Sequence, residues 1–180
     1  MRALLIAAAT LGFAACGDEG GDEHAHGGAH SHGGEHSHGG EVPETSIEAE
    51  GCEHLADGPA AAITAGDLAT STPPAVADDH KRYDLTLVAA EGGNVGRVEF
   101  ASDEAGEHSF FLNAQVPFVV KSADGVAVTV DHTHSSSTVC DEVQLWSIFT
   151  LGVGTYWLEV GPTEATQVGL VIEAGHGHAE

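Results

Sequence analysis

Histidine dominates the chemistry this chain could perform. Residues 23–40 hold three consecutive copies of one hexapeptide, Glu23-His24-Ala25-His26-Gly27-Gly28, Ala29-His30-Ser31-His32-Gly33-Gly34 and Glu35-His36-Ser37-His38-Gly39-Gly40. Each copy offers two imidazoles in strict register. Imidazole suits zinc, copper(II), nickel and cobalt, and the paired glycines let the backbone fold several ligands around one ion. Glycine, serine and aspartate would make an equally good leash, so the regular histidines point to metal binding. The imidazoles must be neutral to bind, so affinity should fall away below about pH 6.5. The segment has no apolar periodicity and is expected to be disordered when empty, which fits a labile buffer better than a site of fixed geometry. His176 and His178 repeat the His-x-His spacing at the C-terminal end.

A second His-x-His pair, His132 and His134, follows the alternating Val126, Val128 and Val130. If a strand continues through them, period two puts both imidazoles on one side. Such a pair needs one or two further ligands. His108, with the strand parity of Phe110 and Leu112, is one candidate, and His54, His80 and Asp131 are others. Met1 is the only methionine and would be lost with a leader, so copper(I), which favours soft sulfur ligands, is disfavoured. Zinc leads, with copper(II), nickel and cobalt behind it.

The leader itself is read from the first residues. Arg2 supplies a positive charge, Ala3 to Phe13 an apolar run, and Ala14-Ala15 the small residues before Cys16, the layout of a secretory signal. The run is shorter than the roughly 20 apolar residues a spanning helix needs. The quartet Phe13-Ala14-Ala15-Cys16 resembles the bacterial lipobox. The resemblance implies cleavage before Cys16, lipidation of that cysteine and a membrane anchor. Gly17 in the next position implies an outer-membrane destination, facing the periplasm or the cell surface. The expected organisation is a signal peptide over 1–15, a lipid-anchored His-rich tether over 16–51, a folded domain over 52–174 and a flexible end over 175–180. As a Gly-rich coil the tether would span roughly 30–35 Å, holding the domain clear of the lipid.

The formal charge of −23 argues against nucleic acid and anionic headgroups as partners and suits attraction of cations. After Cys16 only Cys52 and Cys140 remain. In an oxidising compartment this even pair most simply forms a disulfide, worth roughly 4 kcal/mol in the chain-entropy model; a thiolate metal site is the competing reading.

The folded part must position any site with strands. Ala60 to Ala65 reads as a short strand, and Cys52 to Leu55 as at most a brief helical turn. Apolar residues then alternate through Tyr83-Leu85-Leu87, Val98-Phe100, Phe110-Leu112, Phe118 to Lys121, Val126-Val128-Val130, Val139 to Leu151, Tyr156-Leu158-Val160 and Val168-Leu170-Ile172. Turn signals separate them at Glu91-Gly92-Gly93-Asn94, Asp103 to Gly106, Ala123-Asp124-Gly125 and Gly152 to Gly154. This pattern predicts an all-β domain, an antiparallel β-sandwich of about seven to nine strands behind a disordered His/Gly-rich tail, with no helix of normal length. Leu151 to Val160, where a Gly-Thr-Tyr step enters a strand, and Val95 to Leu112 resemble the bacterial pre-peptidase C-terminal sandwich domains. That likeness covers about residues 80–174 and implies an accessory module without catalytic residues of its own.

No Gly-x-Ser-x-Gly, His-Glu-x-x-His, phosphate loop or dinucleotide fingerprint is present, so catalysis is not expected. The reading is an envelope lipoprotein that binds or buffers divalent metal ions, zinc first, and passes them to a metal transporter or another envelope protein. The alternative is an interaction module for a protein or glycan partner, with Trp157 facing outward and the histidine segment only a tether.

Overall fold

A computed structural model describes residues 44–175. It begins with a helix, α1 (Glu44–Asp57), and continues as eleven strands. These are β1 (Ala60–Thr64), β2 (Ala75–Val76), β3 (Arg82–Thr86), β4 (Val88–Ala90), β5 (Gly93–Ser102), β6 (Gly106–Leu112), β7 (Phe118–Ser122), β8 (His132–His134), β9 (Leu145–Leu151), β10 (Gly154–Thr163) and β11 (Gln167–Ala174). Two sheets result. One has six strands in the order β1-β3-β11-β6-β9-β8; the other runs β2-β5-β10-β7, with β4 paired to β5.

The all-β expectation holds at this level. The sheets, however, are mixed: β1 runs parallel to β3, and β2 parallel to β5, while the remaining pairs are antiparallel. Three of the strands, β2, β4 and β8, are only two or three residues long, too short for a period-two signal. The turn residues fall where expected. Gly92 and Gly93 take φ values of 89° and 138° at the hairpin between β4 and β5, a conformation that a side chain would disfavour.

One core lies between the sheets. Leu85, Phe110, Leu112, Leu170 and Ile172 of the six-stranded sheet pack with Val98, Phe100, Val120, Leu158 and Val160 of the other. A second cluster covers the opposite face of the six-stranded sheet, where Phe111, Trp146, Ile148 and Val171 meet Cys52 and Leu55 of α1. The central strands are therefore buried on both faces: Phe110 and Phe111 are both fully enclosed. Strands in that position lose the simple alternation of a half-exposed strand.

The helix corrects the expectation of a brief turn at Cys52–Leu55. Its buried residues are Glu48, Gly51, Cys52 and Leu55, the i, i+3, i+4, i+7 spacing of one helical face. Only Leu55 among them is a large apolar side chain, so hydrophobic periodicity does not reveal the face. A Cβ on Gly51 would collide with the Phe111 ring, so glycine permits the close approach of helix to sheet. A disulfide joins Cys52 to Cys140 with a Cα–Cα distance of 6.0 Å and a sequence separation of 88.

The Val126-Val128-Val130 strand is also corrected. Val126 and Val130 are exposed. Val128 N–H still donates to Val120 O on β7, yet Asp131 N–H donates to Ile148 O on β9. The chain must cross from one sheet to the other between these points, so it cannot remain in one ladder. Similarly, the expected strand over Val139 to Leu151 begins only at Leu145, because the preceding residues carry the disulfide.

Candidate metal centre

Strand β11 carries a carboxylate into the interior. Glu173 shares the face of Val171, opposite the face of Leu170 and Ile172, and is 2 % exposed. A buried carboxylate is costly unless charge or hydrogen bonds compensate it. Here two imidazoles do so. His54, in the last turn of α1, directs Nδ1 at Glu173 Oε1 at 2.5 Å. His80 directs Nδ1 at Glu173 Oε2 at 3.1 Å. The two rings lie 5.0 Å apart at an interplanar angle of 51°. One ligand atom from each of His54, His80 and Glu173 lies within 4.8 Å of the others.

Three elements therefore meet at one point. The helix terminus contributes His54 at the end where its dipole favours positive charge. His80 comes from the segment before β3, with φ of 56°, the left-handed region that most non-glycine residues avoid. Neighbouring bonds fix that segment. Tyr83 O–H donates to Asp79 Oδ1 at 2.8 Å and accepts from Ala77 N–H, while Lys81 Nζ donates to Asp79 Oδ2. Burial and the bond to Asp79 push the Tyr83 phenol up to about 12. Burial would raise the Asp79 carboxyl, but the bonds from Lys81 and Tyr83 outweigh it and hold the group below its ordinary value.

The helix that carries His54 is anchored on its buried side. Glu48 accepts from Ser137 Oγ at 2.7 Å, from Thr138 N–H at 2.6 Å and from the Thr138 hydroxyl. Burial alone would raise its carboxyl; these donors together hold it below the usual value. The Cys52–Cys140 disulfide ties the helix to the same loop, two positions before His54.

The other expected ligands stand elsewhere. His132 and His134 occupy β8, at the edge of the six-stranded sheet, paired with Ile148 and Trp146 of β9. His132 is exposed, and the His134 ring stacks on Trp146 at 4.6 Å and 27°. Asp131 Oδ2 accepts from Thr150 N–H. His108 lies in the core, edge-on to Phe100, with its ring nitrogens toward Ser102 Oγ and Gly106 O. Among the described residues, the close three-ligand group includes none of these four. His24, His26, His30, His32, His36, His38, His176, His178 and Cys16 lie outside the described residues.

Glu173 is the member of this group that reading the sequence missed. Its signal was a lone carboxylate within the apolar run Val168 to Ala174. On a strand enclosed on both faces such a group must meet a positive or donating partner. Trp157, expected to face outward, is half-buried with the Arg97 guanidinium 4.4 Å over its ring, and Arg97 also pairs with Glu159. A cleft of about 560 Å³ lined by Leu55, Asp57, Arg82, Asn113, Asp141 and Gln144 includes none of the three converging ligands. No protein-family model matches this sequence, and no curated protein is significantly similar to it.

Proposed function

We propose that this chain is a lipid-anchored envelope protein that binds and buffers divalent transition-metal ions, zinc foremost, through its histidine-rich segments. The observation that carries the reading is the threefold repeat x-His-x-His-Gly-Gly over residues 23–40, set in a chain of formal charge −23. Six imidazoles in register supply ligands, and the acidic surroundings raise the local cation concentration. Behind the arm, the two sheets around one core fit a sandwich that serves as a folded platform, and metal passes from the arm to a transporter or another envelope protein.

An outward Trp157 fits the glycan- or protein-binding alternative, and the Arg97 guanidinium lies 4.4 Å over one face of that ring. The test is a zinc titration of the chain from Gly17 onward against the same chain with all six arm histidines replaced by asparagine. The metal reading expects the variant to fold as before and to lose most of its zinc equivalents. Equal stoichiometry in the two proteins would refute binding by the arm.

A further inference from the structure

We infer that the folded domain carries a metal site of its own, distinct from the arm, in which His54, His80 and Glu173 hold one divalent first-row ion with zinc preferred. The inference deepens the metal-binding reading above and takes from it only the identity of the ion.

Glu173 needs a compensating partner. A carboxylate this deeply placed could be neutralised permanently by one lysine or arginine, as Arg97 and Lys121 do for Glu159. Instead the fold brings two imidazoles from separate elements, and imidazole is a cation only when protonated but a metal ligand when neutral. Both rings present Nδ1 to the same carboxylate, so the three ligands already converge on a common point. Two nitrogens and a carboxylate form the three-ligand set that zinc accepts with a fourth position left open.

Zinc–ligand bonds of about 2.0–2.1 Å in a tetrahedron place ligand atoms about 3.3 Å apart. His80 Nδ1 stands 3.1 Å from Glu173 Oε2 and His54 Nδ1 2.5 Å from Oε1, and one ligand atom from each residue lies within 4.8 Å of the others, so an ion enters by displacing the direct His54–Glu173 contact. Glu173 and the helix are fixed by packing, whereas the His80 side chain is 61 % exposed and free to complete the shell from the solvent side. The fourth position opens on that side, to water or to a donor that exchanges the ion. His80 also sits in the left-handed region, a placement that directs its ring back toward β11 at the expense of backbone strain. The surroundings favour a cation: Asp78 and Asp79 precede His80, and the C-terminal end of α1 lies at His54.

The test uses the chain from Gly17 onward with the eight histidines at 24, 26, 30, 32, 36, 38, 176 and 178 changed to asparagine. His54, His80, His108, His132 and His134 remain. Zinc binding is followed by calorimetry, and cobalt(II) by its visible absorption, which reports nitrogen and oxygen ligation in a four-coordinate shell. The site requires one ion per chain in this background. His80→Asn, which tolerates the left-handed backbone but cannot bind zinc, should weaken affinity at least tenfold and remove the cobalt band. His54→Asn is the second variant, and the pair His132→Asn/His134→Asn should leave binding unchanged. An eight-histidine variant that binds no zinc, or a His80→Asn chain that binds as its parent does, overturns the site while leaving the arm reading intact. One tight ion retained in that background, lost with His80, establishes the site even if the arm contributes nothing.

Discussion

At Glu173 the fold turns a liability into a point of convergence. Its carboxylate has nowhere to go but toward His54 and His80, and the segment before β3 is shaped to bring His80 there. Tyr83 is the residue that fixes this segment, through its bonds to Asp79 and Ala77. Its phenol is held up at about 12, above the unfolded value near 10. A raised value means the contribution to stability is whole below pH 10 and is lost as pH rises toward 12. Tyr83→Phe is expected to lower stability by about 1 kcal/mol at neutral pH and to remove this alkaline dependence, as read by denaturant unfolding across pH 8 to 12. At this scale the sequence was a partial guide. His54 and His80 stood among the candidates, but nothing in their spacing joined them, because they are 26 positions apart and meet only through the tertiary fold.

Helix α1 shows why an element can escape a pattern reading and still be well held. Its inward face presents Glu48, Gly51, Cys52 and Leu55, and each makes a different kind of contact: an array of accepted hydrogen bonds, a backbone approach to Phe111, a disulfide and ordinary apolar packing. Hydropathy detects only the last. The strands were legible wherever one face is buried and the other is more open, as in β3. On β6 and β11 the inward rows Phe110-Leu112 and Val168-Leu170-Ile172 were read, but not the burial of the second face, which α1 covers. Phe111, Trp146 and Val171 on that outer face were the trace of a missing covering element. The Glu48 contact makes the helix sensitive to acid. Because the Glu48 carboxyl is held below its ordinary value, its contribution is present above about pH 4.5 and is lost as pH falls through the lowered value. Glu48→Gln should cost roughly 1.5–3 kcal/mol at pH 7 and flatten the stability profile on the acid side, measured by urea unfolding between pH 3 and 7.

At the scale of the whole molecule, a strongly acidic chain joins an arm of repeated imidazoles to a β domain with a preorganised cluster of its own. On the proposal made above, the two parts would suit different tasks: many weak equivalents on the histidine repeat, and one defined position where His54, His80 and Glu173 meet. The all-β class and the disulfide could be read from the sequence, because alternation and an even cysteine pair are local or countable signals. The mixed strand directions could not, since β1 and β2 reveal their parallel partners only in the assembled sheets. Metal binding by both arm and domain is proposed above, and a calorimetric zinc titration of the chain from Gly17 onward, at pH 7.5 and again at pH 5.5, decides it. Several binding events are expected at pH 7.5, one tighter than the rest, and they should collapse at pH 5.5 as protons compete for imidazole. An absence of heat and of bound zinc at pH 7.5 would contradict that proposal.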